Sequence, residues 1–577
     1  MRSLLGRFHR PMSRGAMGDM LTMNSLGDGS TLSLDFTTMG GVLDPRLTFS
    51  RASTATFVNS SGYVEYAGAN LITYSNAFAS GSWYLGGTPA TLTPNYAVGP
   101  DGITGSAWRF QGALSNSVFA QPISNNGVAH VVSIYAKSNT GSNQTFTIYN
   151  GASGTTCTAT SVWQRFEVPV AGTWAYAYFG TLGTSQDILI WGAQSNLGST
   201  AQTYYPTTTA AYYAPRFDYS PTNIGEPRGL LIEGQTTNVA LNSNAIGNAG
   251  GLTRTYPTGV ISPDGTENAQ RFTKTDATTP RYIYPTTSFT VPASTAYTAS
   301  IWIKYDGYAF TTQIQSDTAM DWGGAWTAAF VIASGGITVG SRTGICSAST
   351  VTAYPNGWYR CTATITTGAA PTGSNPRFLI DVVGTTGVTV LVYGLQLEAA
   401  AGASSYIPTG ASGVTRNADD CYVSGSNFTS WFDSTQGTLL VTARSGGNYY
   451  DTSAYDFAAV LTQSGVGTDH IGCAQWSSGL FGVVRANNTY NLNYTSLGSL
   501  TAPYKTAIAY AVSDFAAVAN NGTVTTGTGS LPLSINRMRI GGNRSGSAAA
   551  GFSGTIANIK FFPTRLPNAQ LKTITTL

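Results

Sequence analysis

The sequence predicts an all-β protein in which one β-module occurs twice. Three observations support this fold class. Short runs that alternate apolar and polar residues are separated by clusters of Gly, Asn, Ser and Pro, helical periodicity is nearly absent, and a set of short stretches recurs in the same order. The chain has 577 residues, enough for three or four domains of about 100–200 residues each.

The recurring stretches define the two copies of the module. Their positions in the first and second copy are 100–102 and 263–265, 133–137 and 300–304, 163–165 and 358–360, and 190–194 and 392–396. The offset grows from 163 residues at the first pair to 202 at the last, so the second copy carries insertions between matching strands. Insertions between elements are typical of surface loops on a fixed scaffold. A duplicated β-module favours a binding or structural protein over an enzyme with a single active site.

The composition limits the classes of partner. Charged residues make up 10% of the chain, against about 25% in an ordinary globular protein. The 42% of hydrophobic and 12% of aromatic residues are enough to fill cores. A net charge of +3 gives no reason to expect nucleic acid or an anionic membrane as a partner. No run of 18 apolar residues occurs, so no membrane span is predicted, and the N-terminus lacks the apolar core of a secretory signal.

The cysteines and histidines predict neither a disulfide framework nor a metal site. The five cysteines are odd in number and show no CxxC spacing, so buried thiols in a reducing compartment are favoured. A disulfide between Cys346 and Cys361 is the less favoured alternative. The histidines, His9, His130 and His470, are widely scattered. We therefore predict no cofactor and no metal, and leave calcium at loop carboxylates unassigned.

The N-terminal segment, residues 1–30, is basic and rich in methionine. No acidic residue occurs before Asp19. The arginines of this segment are Arg2, Arg7, Arg10 and Arg14. Two interpretations remain open: a frayed tail, or a docking peptide that becomes ordered on a partner.

Beyond this segment the pattern predicts strands and one terminal helix. The stretch 31–36 alternates with period two, as a half-buried strand does. Further apolar strands are predicted at 437–443, 536–542 and 552–562, which form a two-sheet sandwich closed by the last of them. Pro567 is well placed at the start of a helix over 566–572.

Two stretches resemble tail-fibre-like and other structural proteins of tailed bacteriophages. The first is Phe-Ser-Arg-Ala-Ser-Thr-Ala-Thr-Phe at 49–57, followed by Ser-Gly-Tyr-Val at 61–64. The second is Pro-Arg-Phe-Asp-Tyr at 215–219 with Gly-Glu-Pro-Arg-Gly-Leu-Leu-Ile-Glu at 225–233. In such proteins the two stretches usually follow each other closely. Here the first module lies between them, like a domain inserted into a collar.

The modules and the C-terminal segment carry further resemblances. The stretch 406–410, followed by Val-Thr-Arg at 414–416, is typical of phage jelly-roll modules of the carbohydrate-binding type. The stretches 552–556 and 565–571 resemble concanavalin-like (laminin-G-like) sandwiches. The resemblance implies an all-β fold of two tandem jelly-roll β-sandwiches plus a C-terminal concanavalin-like β-sandwich. The expected domains are an N-terminal docking segment (1–30), collar strands (31–69), jelly-roll module 1 (70–212), a collar segment (213–240), jelly-roll module 2 (241–424) and the concanavalin/laminin-G-like sandwich (425–577).

The same resemblance implies a location and partners. It implies a virion protein that is assembled in the host cytoplasm and contacts other virion proteins of the tail, neck or capsid. It also implies a homo-oligomer, with a trimer as the family habit. In that setting the arginines of residues 1–30 are candidates for docking on the particle. No reaction is implied, because a fold does not fix a function.

Enzymatic motifs are missing from the sequence. No GxSxG, HExxH or GxxxxGK[ST] pattern occurs. A glycosidase could use paired carboxylates, and the nearest acidic pairs are Asp317 with Asp321, Asp419 with Asp420, and Asp451 with Asp456. Turn residues that satisfy local backbone amides are the favoured interpretation of these pairs. We predict that the chain is not an enzyme, and a polysaccharide depolymerase is the minority alternative.

Sugar binding is chemically better supported. Aromatic rings stack on the apolar faces of pyranose rings, while Asn, Asp and Gln side chains bond the hydroxyl groups. Asp321, Trp322 and Trp326 lie in a glycine-rich stretch of the second copy, and Trp83 and Tyr84 are further candidates. A place in the core or in a subunit contact is the alternative for these tryptophans.

Two functions at the same location therefore stay open. The leading hypothesis is a tail or head fibre, or another appendage subunit, that attaches the particle to host-surface glycans. The alternative is a capsid or tail cementing or connector protein without glycan binding, because low charge and plentiful aromatic residues suit a subunit interface equally well.

Overall fold

The computed structural model describes residues 28–86, 90–112, 117–180, 186–277, 281–285, 291–316, 319–371, 378–446, 456–464, 469–476, 479–499, 503–543 and 551–577. The fold is all-β, as predicted. The helices found in these ranges are short: Ala319–Trp322, Ser426–Thr429 and Asn568–Ile574, with a 3₁₀ turn at Pro355–Gly357. The arginines proposed for docking, Arg2, Arg7, Arg10 and Arg14, lie outside the described residues, as do Asp317 and Asp451.

The first five strands precede the first module. They are β1 (Leu32–Asp35), β2 (Thr48–Ser50), β3 (Thr56–Val58), β4 (Val64–Tyr66) and β5 (Ala69–Asn70). In β1 the side chains of Leu32 and Leu34 are buried and alternate with partly exposed ones, which confirms the predicted period of two. Strands β3 and β4 form a hairpin.

The first module is a sandwich of two five-stranded antiparallel sheets. Its strands are β6 (Tyr84–Gly86), β7 (Ala90–Ala97), β8 (Ala107–Gly112), β9 (Val118–Pro122), β10 (His130–Ser138), β11 (Gln144–Tyr149), β12 (Gly154–Ala159), β13 (Gln164–Val170), β14 (Tyr176–Gly180) and β15 (Gln186–Leu197). The sheet orders are β13-β10-β15-β8-β7 and β12-β11-β14-β9-β6. Side chains such as Phe110, Ile134 and Phe179 fill the space between the sheets.

Four strands connect the two modules. They are β16 (Tyr212–Tyr213), β17 (Arg216–Tyr219), β18 (Pro227–Ile232) and β19 (Thr236–Asn238). Strand β16 pairs with β5, so the first module begins and ends side by side. This arrangement is the one expected of an inserted domain, because an insertion must return the chain close to its point of departure.

The second module repeats the first and extends it. Its strands are β20 (Gly247–Asn248), β21 (Leu252–Thr255), β22 (Gln270–Lys274), β23 (Arg281–Tyr284), β24 (Ala296–Lys304), β25 (Phe310–Ser316), β26 (Trp326–Ala333), β27 (Gly336–Gly344), β28 (Cys346–Tyr354), β29 (Trp358–Thr366), β30 (Phe378–Val382) and β31 (Thr389–Glu398). The orders β28-β29-β24-β31-β22-β21 and β27-β26-β25-β30-β23-β20 match those of the first module with one added edge strand each. The added strands are β27 and β28, so the insertion predicted from the growing offset widens both sheets.

A β-bulge is also duplicated. The pairing of β10 with β15 shifts register between Ser133 and Tyr135, and the pairing of β24 with β31 shifts between Ser300 and Trp302. Gly192 and Gly394 occupy the bulged positions with φ of +62° and +60°. Glycine adopts this left-handed conformation without a Cβ clash, which explains why the residue recurs.

The remaining strands complete a third sandwich. They are β32 (Val414–Arg416), β33 (Asp420–Ser424), β34 (Gln436–Ser445), β35 (Asp456–Thr462), β36 (His470–Trp476), β37 (Gly479–Ala486), β38 (Thr489–Ser499), β39 (Tyr504–Ala511), β40 (Asp514–Ala519), β41 (Thr525–Gly527), β42 (Arg537–Asn543) and β43 (Gly554–Phe562). One sheet has the order β17-β18-β43-β34-β39-β40-β41 with β1 also on β43, and the other has the order β2-β33-β42-β35-β36-β37-β38.

The third sandwich corrects the predicted domain boundaries. Strands β1, β2, β17 and β18 belong to its sheets, so the collar segments 31–69 and 213–240 supply strands to this domain. Residues 420–424, predicted as the end of module 2, form its strand β33. The terminal sandwich is therefore discontinuous in sequence, and both modules are inserted into it. Strand β43 closes it as predicted, and the terminal helix follows Pro567.

The cysteines are unpaired. Cys157, Cys361, Cys421 and Cys473 are buried and Cys346 is half-buried, with no disulfide between Cys346 and Cys361. Burial raises the pKa of the Cys157 thiol to about 11, so it stays protonated at neutral pH. No helix among the described residues is long and apolar enough to span a membrane.

Candidate functional site

The tryptophan pair of the second module lies in the core. Trp322 is 0% exposed and Trp326 is 2% exposed, and their rings meet edge to face with centroids 5.8 Å apart. Trp326 is the first residue of β26, where it points inward with Ala328 and Phe330. The prediction that Trp322 and Trp326 form a platform for sugars is therefore wrong. Asp321, half-buried in the same short helix, loses the role predicted for it beside these rings.

Trp83 and Tyr84 separate in the structure. Trp83 is 6% exposed, its indole N–H donates to the carbonyl oxygen of Tyr74 at 3.1 Å, and its ring packs on Phe78 with centroids 5.2 Å apart. Trp83 is thus a core residue and not a binding residue. Tyr84, the next residue and the first of β6, is 64% exposed. Of the predicted aromatic candidates, Tyr84 is the one that reaches solvent.

The sheet register places more tyrosines beside Tyr84. Tyr84 lies opposite Ala120 on β9, and Ala120 lies opposite Tyr178 on β14. Tyr149, at the end of β11, follows with its ring centroid 5.7 Å from that of Tyr178. The intervening residues Phe119 and Phe179 are buried. The alternation of the strands therefore holds the tyrosines on the outer face of the sheet.

Two more aromatic side chains extend this row. The rings of Trp174 and Tyr149 have centroids 4.8 Å apart, and those of Trp174 and Tyr176 are 5.4 Å apart. Tyr176 is 43% exposed. We call the set of five the aromatic face; its members are Tyr84, Tyr149, Trp174, Tyr176 and Tyr178. Partial burial, with the neighbouring Tyr84 and Tyr149, raises the pKa of the Tyr178 phenol, so the Tyr178 hydroxyl group stays protonated and can donate a hydrogen bond.

The sheet that carries the aromatic face is uncharged. Strands β6, β9, β11, β12 and β14 contain no Asp, Glu, Lys or Arg. Exposed hydroxyl groups come from Thr145, Thr156 and Thr158. A depression of about 680 Å³ adjoins Tyr84 and is bordered by Ser124. The surface thus combines flat apolar rings with neutral hydrogen-bonding groups, which suits a neutral polyhydroxylated ligand.

The described strands of the second module carry different side chains at two of the matching places. Its strand at the place of β6 is β20, which consists of Gly247 and Asn248. On β25, Gln313 and Gln315 alternate with the buried Thr312 and Ile314. Amide side chains thus stand on β25 of the second copy, in the sheet that carries the aromatic face in the first.

The stretches 49–57, 215–219 and 225–233 meet in a buried ion network at the junction of the domains. We call it the junction network; its members are Arg51, Arg216, Glu233, Arg416 and Asp419. Arg51 contacts Asp419 at 2.8 Å, Arg216 contacts Asp419 at 2.5 Å, and Arg216 contacts Glu233 at 2.6 Å. Arg416 lies 3.5 Å from Glu233. Glu233 is therefore held in a structural ion pair.

Electrostatics explains how the junction network tolerates burial. Desolvation alone would raise the pKa of Glu233, but Arg416 and Arg216 outweigh it and hold the pKa at about 2. Desolvation likewise opposes ionisation of Asp419, and Arg216 and Arg51 keep its pKa below the usual range. The carboxylates are therefore charged and paired, which is a structural arrangement and offers no free acid or base.

The remaining acidic candidates that the structure describes, Asp420 and Asp456, lie at the starts of strands. Asp420 contacts Arg539 at 3.0 Å. Asp456 is buried at the start of β35. His130 and His470 are both fully buried. Within the described ranges, no group of three or more His, Cys, Asp and Glu side chains could hold a metal ion.

Comparisons with known proteins add little. No protein-family model and no curated protein matches the sequence. A CBM40 module of the Ruminococcus gnavus IT-sialidase, bound to alpha2,3 sialyllactose, is 15% identical over 25% of this chain and 83% of its own, with a TM-score of 0.22. The CBM22-1-CBM22-2 tandem domain of Paenibacillus barcinonensis Xyn10C is 13% identical over 58% of this chain and 98% of its own, with a TM-score of 0.21. Mouse laminin alpha1 domains LG4-5 are 12% identical over 56% of this chain and 96% of their own, with a TM-score of 0.18. Scores this low carry no argument about function.

Proposed function

We propose that this chain is a non-catalytic structural protein of a tailed bacteriophage, a tail or head fibre or similar appendage subunit, that attaches the particle to host-surface glycans. The aromatic face of the first module is the observation that carries the glycan part. Tyr84, Tyr178 and Tyr149 lie side by side on an uncharged, solvent-facing sheet. Large apolar rings with polar tips on such a surface call for a ligand that is apolar on its face and hydroxylated at its rim.

The dimensions of the aromatic face fit an oligosaccharide. Neighbouring strands are about 4.8 Å apart, so the three strand intervals from β6 to β11 span about 14 Å, roughly the length of three sugar rings in a chain. The chain of sugars would cross the strands and place its rings over the tyrosines. Weak binding at each copy becomes firm attachment when several copies act on one particle.

The virion part of the proposal is supported by the sequence resemblance to phage structural proteins. Three residues of those stretches with buried charges, Arg51, Arg216 and Glu233, join in the junction network. Such stretches thus have a structural reason to occur together, namely to fix the inserted modules on the terminal sandwich. The unpaired thiols support assembly in the reducing host cytoplasm. A homo-oligomer, with three copies by family habit, and contacts to other virion proteins complete the proposal.

Binding to glycans is tested with variants of the two most exposed tyrosines of the aromatic face. We expect Tyr84→Ala and Tyr176→Ala to weaken binding to neutral glycans about five- to tenfold each, because a stacked aromatic ring contributes about 1 kcal/mol. Tyr308→Ala is the matched control, since Tyr308 of the second module is 44% exposed and Tyr176 is 43% exposed. Equal binding by the wild type and both variants on a glycan array would disprove the role of the aromatic face.

The location is tested separately by gold-labelled antibodies on intact particles. Label at tail tips or protruding fibres is the expected result. Label spread evenly over the head or buried at the neck would favour the cementing or connector role. No label on particles would refute the virion proposal and reopen the question of an enzyme.

A further inference from the structure

A cleft of about 500 Å³ separates the second module from the terminal sandwich. We call it the junction cleft. Strands β28 and β29 of the second module form one wall, and residues of β18, β34 and β43 form the other. Its volume lies within the range of about 300–1,000 Å³ that is common for small-molecule sites. The junction cleft lies on other domains than the aromatic face and is chemically different from it.

Hydroxyl groups line the junction cleft. Thr350 and Thr362 stand opposite each other with their hydroxyl oxygens 2.7 Å apart, and Thr364 is hydrogen-bonded to Thr298 at 2.9 Å. On the opposite wall, the Thr555 hydroxyl is buried and has no hydrogen-bond partner among the described residues. A buried hydroxyl without a partner is costly, and a polar ligand would remove that cost.

Two arginines of the junction cleft also have unused donors. Arg360 is 8% exposed, and its terminal nitrogens donate to the Ser404 carbonyl oxygen at 2.8 Å and to the Ser300 hydroxyl at 3.0 Å. Arg228 donates to the Ser220 hydroxyl at 3.3 Å. The Nε atoms of both arginines are buried without a hydrogen-bond partner. In the part of the chain that the structure describes, neither arginine has a carboxylate within 4 Å.

The carboxylates of the junction cleft neutralise its arginines only in part, since Asp218 is ionised at neutral pH and interacts with Arg228. Glu233 is already paired with Arg216 and Arg416. Asp218 accepts a hydrogen bond from the Val58 N–H at 2.7 Å, and burial raises its pKa to about 6. At the rim, Arg444 adds a further positive charge and forms an ion pair with Glu226 at 3.2 Å. Arg228, Arg360 and Arg444 stand against two carboxylates, Asp218 and Glu226, so the junction cleft keeps an excess of positive charge and is rich in donors.

We propose that the junction cleft binds the carboxylate-bearing unit of an acidic carbohydrate, a hexuronate. Its carboxylate would face Arg228, Arg360 and Arg444, since guanidinium groups bind carboxylates with strong charge-assisted hydrogen bonds. Its hydroxyl groups would bond to the threonine wall. The chain would then carry two sugar sites of different specificity, one for neutral glycans on the first module and one for acidic sugars beside the second.

The test is calorimetric titration of the full chain with galacturonic acid and its trimer, with galactose and inorganic phosphate as comparison ligands. We expect the galacturonate ligands to bind and galactose not to bind at this site. Arg228→Gln and Arg444→Gln should each weaken galacturonate binding at least tenfold. Arg271→Gln is the matched control, since it removes a partly exposed, carboxylate-paired arginine of the second module. Arg444 lies at the rim, so its variant keeps the test valid if Arg228→Gln lowers the melting temperature.

Three results would overturn the proposal. These are no binding of galacturonate, binding that Arg444→Gln leaves unchanged, and binding of phosphate as strong as that of galacturonate, which would indicate a simple anion site. Tyr84→Ala, which changes the aromatic face, should leave galacturonate binding intact. The two sugar sites can therefore fail independently of each other.

Discussion

Asn70 and Asn238 make the same four hydrogen bonds in the two modules. The amide group of Asn70 donates to the carbonyl oxygens of Ala193 and Tyr205 and accepts from the N–H groups of Ile72 and Ser195. The amide group of Asn238 donates to Leu395 and Ile407 and accepts from Ala240 and Leu397. Both side chains are 0% exposed. The duplication has thus kept this buried polar contact while the outer sheet faces diverged.

This relationship predicts a large effect of Asn238→Ala. The substitution leaves two carbonyl and two N–H groups buried without partners, so we expect a loss of about 3 kcal/mol for the second module. Calorimetry should show the melting transition of that module shifted down. Asn143→Ala, in an exposed loop of the first module, is the control and should shift nothing. Unchanged melting of Asn238→Ala would mean that water replaces the amide.

Local patterns predicted the strands of this fold better than their partners. The repeated stretches led to the two modules because most of them lie in strands that occupy equivalent sheet positions, as β10 and β24 do, while 100–102 and 263–265 lie in matching turns. The alternation at 31–36 predicted strand β1, but its pairing of Leu34 with Ile559 joins opposite ends of the chain. No local periodicity reports such a pairing, and the collar segments were therefore not recognised as strands of the terminal sandwich.

The aromatic face shows the same limit at a binding site. Trp326 resembled a loop residue because glycines precede it, yet it begins a strand with its ring pointing inward. Trp174, Tyr176 and Tyr178 alternate with period two, a signal of one exposed face that the sequence does contain. Their proximity to Tyr149 depends on sheet register, which the sequence does not specify locally.

The proposed docking role of the N-terminus predicts the result of a deletion. Removal of residues 1–27 keeps Asp28, whose carboxylate contacts Lys560 at 2.5 Å, so we expect the sandwiches to fold normally. We also expect the truncated protein to be missing from particles, because Arg2, Arg7, Arg10 and Arg14 are lost. Immunoblots of purified particles, with circular dichroism of the isolated protein, provide the measurement. Normal incorporation would rule out docking by this segment.

The junction network predicts acid sensitivity. The pKa of Glu233 is about 2 in the folded chain, below its usual value of 4.5. Its ionised form therefore stabilises the fold above about pH 4.5, and this contribution is lost as the pH falls towards about 2. Glu233→Gln leaves Arg216 and Arg416 buried beside a neutral group, and should lower the free energy of unfolding by about 3–5 kcal/mol at pH 7.

The matched control for Glu233 is Glu226. Its side chain is 38% exposed and pairs with Arg444, so Glu226→Gln should lower the free energy of unfolding by only about 0–1 kcal/mol. Thermal unfolding at pH 7 measures both variants. A similar small effect of both substitutions would show that the junction network does not hold the domains together.

Asp218 predicts the opposite dependence on pH. Burial raises its pKa to about 6 from the usual 3.8, so folding favours the protonated form. The stabilising contribution is complete below about pH 4 and is lost as the pH rises through about 6. Asp218→Asn copies the protonated form, and its Oδ1 can still accept from Val58. We therefore expect the free energy of unfolding of this variant to exceed that of the wild type by an amount on the order of 2 kcal/mol at pH 8. At pH 4 the two free energies should be equal. Melting temperatures at the two pH values provide the measurement, and Asp514→Asn, at an exposed position, is the control. A melting temperature of Asp218→Asn no higher than that of the wild type at pH 8 would refute this assignment.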